Sequence, residues 1–167
     1  MAFQMVDQRV GWPAINDVST TQKIPTGSIA YISDQAGTVP LGGEAVYLKA
    51  GGANIVVGSV CELDPNVGAI LAPATGGEGP VVISLNIVPS GSFAWFAVEG
   101  TIPVKSPNAT VIGAAVFMLA ATAGSVDDAA VAGEQILNAE FASSTGVPST
   151  GLALVTIDRP FHQGQIT

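Results

Sequence analysis

The chain has 167 residues, of which 48% are hydrophobic and only 11% are charged, and its formal net charge is −8. Because an average soluble domain carries about 25% charged residues, we expect much of this surface to be buried against partner subunits. The acidic balance argues against nucleic-acid binding, which needs clustered cations. A membrane helix needs about 20 consecutive apolar residues, and the best candidate, 111–123, is interrupted by Gly113 and Thr122.

The first residues differ in pattern from the rest of the chain. We predict an extended N-terminal arm over 1–25 and a single β-rich domain over 26–167. The arm is either docked on a neighbouring subunit or a disordered tail, and Trp12 favours docking because aromatic residues are enriched at interfaces. The residues predicted to contact another subunit are the apolar ones of this arm: Met5, Val10, Trp12, Pro13, Ile15 and Ile24.

Helical periodicity is almost absent from the remainder. Short apolar or alternating runs between Gly, Pro, Asn and Asp predict β-strands with tight turns. We predict an all-β fold, a compact β-barrel or β-sandwich with little or no helix. A hairpin is expected around Gly100–Thr101, and 126–132 fits either a helical turn or a loop. The predicted strands are 28–33, 44–49, 55–63, 81–88, 93–99, 102–105, 114–120, 135–138, 140–143 and 152–158.

Residues suited to catalysis or metal binding are scarce. His162 is the single histidine and Cys61 the single cysteine, too few for a structural zinc site. No Gly-x-Ser-x-Gly motif is present to position a nucleophilic serine. We predict Cys61 to be a small buried hydrophobe, and we expect no catalytic residue, no metal and no cofactor.

The remaining polar candidates have structural interpretations. Asp127 and Asp128 could bind calcium but lack the EF-hand pattern, so we predict a solvated turn. Glu62 and Asp64 are predicted on one side of a strand as solvated acids, although a glycosidase also uses two carboxylates. The glycine-rich stretch 76–80 has no Gly-Lys-Ser/Thr motif, and it is predicted to be a flexible surface loop.

The order of three segments resembles that in small virion proteins of tailed bacteriophages. Residues 17–48 (DVSTTQKIPTGSIAYISDQAGTVPLGGEAVYL) join a polar Thr-Thr-Gln stretch to a Gly-bearing strand and a Gly-Glu-Ala-Val-Tyr-Leu strand. Residues 92–105 (SFAWFAVEGTIPVK) are similar to the aromatic hairpin unit of those proteins. Residues 113–128 are similar to their later strand, which ends in an Ala-x-x-Gly-x-Val-Asp turn.

The resemblance implies a non-enzymatic capsid decoration (cement) protein. Such a protein is made in the host cytoplasm, binds the outer surface of the capsid and bridges major capsid proteins, typically as a homotrimer. Its partners are the major capsid protein and its own copies, with no nucleic acid, membrane or cofactor. One alternative is another β-rich virion part, such as a head-fibre base, tail or baseplate subunit. A carbohydrate-binding module would need Trp12 or Trp95 exposed, and Trp95, in the run FAWFAV, is predicted to lie in the core.

Overall fold

The computed structural model describes residues 3–34 and 42–164, and these contain strands and no helix. The prediction of an all-β fold is confirmed. The strands are β1 (Phe3–Met5), β2 (Ile29–Asp34), β3 (Gly43–Lys49), β4 (Val60–Asp64), β5 (Gly68–Leu71), β6 (Glu78–Ser84), β7 (Phe93–Lys105), β8 (Ala115–Met118), β9 (Val126–Asp127), β10 (Gln135–Phe141) and β11 (Leu152–Gln163).

All of these strands belong to one antiparallel sheet. Its order is β1-β2-β3-β7-β6-β11-β10-β8-β9, and β4 lies off this path, paired with β5 and β6. Strands β6, β7 and β11 pair with one another along different parts of their length. The strands that the structure describes do not form a closed barrel, and their arrangement is sandwich-like.

Apolar side chains fill both faces of the central strands. On β6, Val81 and Ile83 belong to the larger hydrophobic cluster, whereas Val82 between them belongs to the smaller one. On β7, Trp95 and Phe96 divide between the two clusters in the same way. Since successive side chains of a strand point to opposite faces, such strands need continuous apolar runs. Burial within one chain therefore accounts for part of the low charge.

Strand β7 corrects the predicted hairpin around Gly100–Thr101. One strand runs through these residues without a turn. Gly100 has a φ of 107°, a backbone conformation that favours glycine. The register with β3 shifts at Glu44, so β7 carries a bulge rather than a turn. The backbones nearly touch there, because a Cβ on Gly43 would lie 2.0 Å from the carbonyl oxygen of Glu99.

Strands β10 and β11 are also longer than predicted. The two short strands expected over 135–143 form one strand, with Asn138 in the left-handed region where the register shifts. Strand β11 runs five residues further than the predicted end at Asp158. It leaves β7 after Asp158 and pairs with β6 from Phe161, so Pro160 lies where the partner changes. A proline is tolerated at such an interruption.

Smaller differences concern other strands. Strand β6 begins at Glu78 and ends at Ser84, whereas the predicted strand spans 81–88. The predicted strand 55–63 starts too early, since β4 begins at Val60 and runs to Asp64, and Gly58 turns the chain before it with a φ of 78°. The stretch 126–132 begins with β9 and contains no helical turn. Strands β1 and β5 had no predicted counterpart.

Candidate functional site

The described part of the N-terminal arm lies against the body of its own chain. Strand β1 pairs with β2, and Ile15 and Ile24 join the larger core cluster. The indole nitrogen of Trp95 donates to the carbonyl oxygen of Pro13 at 3.2 Å, and the Asn86 amide donates to that of Ile15 at 2.9 Å. Pro13, Ile15 and Ile24 therefore anchor this segment to the core, while most of the residues between Ile15 and Ile24 are exposed or half-buried.

The residues predicted to contact another subunit differ widely in exposure. Trp12 is half-buried, with its ring centroid 5.6 Å from that of Trp95 and the Arg9 guanidinium 4.8 Å above it. The contact with a neighbouring subunit stays a prediction. The six divide into buried Pro13, Ile15 and Ile24, half-buried Met5 and Trp12, and fully exposed Val10.

Other exposed apolar side chains lie outside the arm. Single exposed aliphatic residues are ordinary, but two groups are adjacent. Val111 and Ile112 are consecutive and each 66% exposed. Leu137, Phe161 and Pro80 lie directly opposite one another across β10, β11 and β6, all on the solvent side. Sequence reasoning missed both groups, because register and burial were needed to place them.

Two aspartates fix the loop that carries Val111 and Ile112. The side-chain amide of Asn108 donates to Asp127 Oδ2 at 2.6 Å, and the backbone N–H of Val111 donates to Asp128 Oδ2 at 2.8 Å. Asp127 is buried, so the predicted solvated turn is wrong. Burial raises the pKa of Asp127, but hydrogen bonds from Asn108 and from the Asp128 backbone outweigh it and hold that pKa below its ordinary value of 3.8.

Replacing Asp127 by alanine is expected to lower the free energy of unfolding by about 1–3 kcal/mol, because the Asn108 amide and the backbone N–H of Asp128 lose a charged acceptor. A carboxyl whose folded pKa is lowered stabilises the fold above its unfolded pKa, and this contribution is lost as the pH falls through the folded value. Urea unfolding at several pH values should show the difference from the parent shrinking under acid. Asp7→Ala, at an exposed position, is the control. An equal loss in both variants would contradict the assignment.

A buried cluster of ionisable groups surrounds His162. Its side chain is fully buried on β11, with Nδ1 2.6 Å from Glu62 Oε1 and Nε2 3.0 Å from Glu134 Oε2. The second oxygen of Glu134 accepts from the backbone N–H of Gly76 at 2.6 Å. Burial lowers the pKa of His162, but the bonds and charges of Glu62 and then Glu134 outweigh it and hold that pKa above its ordinary value of 6.5.

Gly77 covers this cluster and must be a glycine for steric reasons. A Cβ at Gly77 would lie 2.1 Å from Glu62 Oε1 and 2.2 Å from His162 Nδ1. The predictions of a flexible loop over 76–80 and of a solvated Glu62 are therefore wrong, since both take part in a buried contact. Asp64 instead accepts from the backbone N–H groups of Asn66 and Val67 in the β4–β5 turn.

The geometry limits the chemistry of the cluster. Both ring nitrogens of His162 are occupied by carboxylates, so neither faces a cavity where a substrate could bind. The two carboxylates meet opposite sides of the ring. Over 3–34 and 42–164, no group of three or more His, Cys, Asp or Glu side chains is arranged to hold a metal ion.

Cys61 occupies the environment that the sequence predicts. It is fully buried in the smaller hydrophobic cluster, and burial raises the pKa of its thiol to about 12. The prediction of a small buried hydrophobe is confirmed.

A cleft of about 520 Å³ lies beside β1, bordered by residues 14–16 and 85–86. Its described lining contains amide and apolar side chains but no ionisable group. It can therefore offer hydrogen bonds and apolar contact, but no acid–base chemistry.

Comparison with known proteins adds no family to this description. No protein-family model matches the sequence, and no curated protein matches it. In the part of the chain that the structure describes, no helix is long and apolar enough to span a membrane.

Proposed function

We propose that the chain is a structural virion protein, a capsid decoration (cement) protein that binds the outside of a tailed-phage head. In this role it stabilises contacts between major capsid proteins and acts as a homotrimer. The resemblance of segments 17–48, 92–105 and 113–128 suggests the class. The observation that carries the proposal is the pair Val111 and Ile112, both exposed on a loop tied down by hydrogen bonds in a chain that is poor in charge.

The loop has the properties of a protein-binding contact. Exposed aliphatic side chains gain free energy when a partner removes them from water. The Asp128 side chain already holds the backbone N–H of Val111, and Asp127 holds the side-chain amide of Asn108, so less conformational entropy is lost on binding than in a loop without these bonds. Binding only to the assembled shell shifts the equilibrium toward that shell, and a trimer that engages several sites at once gains avidity.

Purified chain mixed with empty heads built from the cognate major capsid protein should sediment with them saturably and raise the melting temperature of the shell. Val111→Asp combined with Ile112→Asp should weaken attachment by roughly tenfold or more, as expected for residues at the centre of an interface. Because both side chains are exposed, the variant should keep the melting temperature of the free protein.

Val67→Asp combined with Ile87→Asp is the matched control, since it places the same two charges at exposed aliphatic residues outside the 111–112 loop. Binding by the Val111→Asp, Ile112→Asp variant equal to that of the parent would remove the 111–112 loop from the interface. Failure of the parent chain to bind heads, together with a monomeric mass in sedimentation equilibrium, would contradict the proposal itself.

Two rival functions predict different results. A head-fibre base, tail or baseplate subunit would label a different part of the particle in electron micrographs of tagged virions. A carbohydrate-binding module would need an aromatic platform, but Trp95 is fully buried and Trp12 stacks partly against it. Trp95 lies in the core, as the sequence predicts, so it cannot contribute to a sugar-binding platform.

A further inference from the structure

The contacts of His162 join three segments that are distant in sequence. His162 lies near the end of strand β11, Glu62 lies on β4, and Glu134 immediately precedes β10. The side chains are 0%, 12% and 7% exposed, respectively. The second oxygen of Glu134 extends the contact to the backbone of Gly76.

The charge on the imidazole ring of His162 follows from the hydrogen bonds that its two nitrogens make. A neutral imidazole has one N–H donor and one acceptor nitrogen, whereas imidazolium donates from both nitrogens. Ionised carboxylates only accept, and His162 meets one at each nitrogen, at 2.6 and 3.0 Å. A neutral ring would therefore turn a lone pair toward one buried carboxylate. Only imidazolium satisfies both contacts while Glu62 and Glu134 are ionised.

We propose that protonated His162 is a pH-dependent lock that fastens the end of β11 to β4 and to the turn before β10. Loss of the ring proton removes one of the two charge-assisted bonds and leaves two like charges facing an uncharged ring. The end of β11 then separates more readily from its neighbours. This property is independent of capsid binding.

The charged groups around the ring act from identifiable elements. Glu62 acts from β4 and Glu134 from the turn before β10. The residues opposite His162 on β10 and β6 are Ile136 and Gly79, which carry no charge. Glu78 on β6 is exposed.

On β11 itself, Asp158 and Arg159 are exposed, and the Arg159 guanidinium pairs with Glu44 on β3 instead. The ring charge therefore depends on the two glutamates that touch it.

The direction of the pH effect follows from linkage. The folded pKa of His162 is held above its ordinary value. A basic group raised in this way stabilises the fold fully below its unfolded pKa, and the contribution is lost as the pH rises through the folded value. The lock is closed while the ring is protonated and both glutamates are ionised, and it opens as the pH rises through the folded pKa of His162.

The test is a nitrogen NMR titration of the ring in the full chain, in which the single histidine gives unambiguous signals. At about pH 7, where free histidine is mostly neutral, both nitrogens should show the protonated shift. On further alkalinisation, the exchange rates of the amides of residues 161–163 should rise more steeply than the pH dependence of intrinsic exchange alone predicts. Glu134→Gln and Glu62→Gln should each lower the pH at which the ring titrates.

Glu78→Gln, an exposed neighbour on β6, should leave the titration unchanged and serves as the matched control. A neutral ring at about pH 7 in the parent chain would overturn the lock, and this measurement needs no variant to fold. The lock would also be overturned if Glu78→Gln lowered the pH at which the ring titrates as much as Glu134→Gln does.

Discussion

Replacing Trp95 by alanine is expected to lower the free energy of unfolding by about 3–5 kcal/mol, the range for truncating a buried aromatic side chain. Its ring is fully buried, 5.3 Å from the Tyr47 ring and 5.6 Å from that of Trp12. The variant also loses the hydrogen bond to the Pro13 carbonyl. The cavity opens beneath the N-terminal arm, so we expect the arm to loosen before the body unfolds.

Urea unfolding measures the global loss, and limited proteolysis reports whether residues 9–16 become cleavable first. Tyr31→Ala is the matched control, because this aromatic side chain is 61% exposed and its loss should change stability by less than about 0.5 kcal/mol. If the two variants were equally stable, or if proteolysis began in the body, the arm would not depend on Trp95.

Replacing Gly77 by alanine is expected to cost about 3–5 kcal/mol, the effect of breaking a buried ion pair. The new methyl group would lie within 2.2 Å of His162 Nδ1 and 2.1 Å of Glu62 Oε1. Glu62 could move outward, but the ring is enclosed and held by Glu134 on its other side. The substitution therefore separates two charged groups without altering either one.

Thermal unfolding of Gly77→Ala and of the control Gly76→Ala separates two costs: the clash of a methyl group with His162 and Glu62, and the backbone strain of an alanine at a glycine position. Gly76 has a φ of 74° and open space at its Cβ position, so alanine there should cost only about 1–2 kcal/mol of backbone strain. A loss for Gly77→Ala no greater than that for Gly76→Ala would mean that the cluster adapts to the methyl group.

Composition and strand pattern predicted the fold class because alternation and turn residues are local properties. Gly100 shows where local reasoning fails. A glycine before threonine in an apolar segment fits a turn, yet here it allows two backbones to approach at a bulge. The predicted end of β11 at Asp158 is wrong for a related reason, since Pro160 marks where β11 changes partner and not where it ends. Neither outcome is visible without knowing which strands are neighbours.

The candidate sites depended even more on distant pairing. Glu62 and His162 are 100 positions apart, and no spacing rule connects an acid on one strand to a histidine on another. Two glycines before β6 gave the one usable signal, because a glycine that is not in a turn indicates close approach of other atoms. Val111 and Ile112 were visible in the sequence, but their exposure depends on bonds to Asp127 and Asp128.

The position of β11 has a consequence for how the protein folds during synthesis. This strand is the last one that the structure describes, yet it lies between β6 and β10 and also pairs with β7. As the nascent chain emerges from the ribosome, β6, β7 and β10 therefore lack their β11 partner, and their edges and apolar side chains stay exposed until β11 is made. Because pairing between distant segments slows folding, we expect the sheet to assemble late and cooperatively. Ribosome-bound chains that stop before Leu152 should depend on chaperones to avoid aggregation.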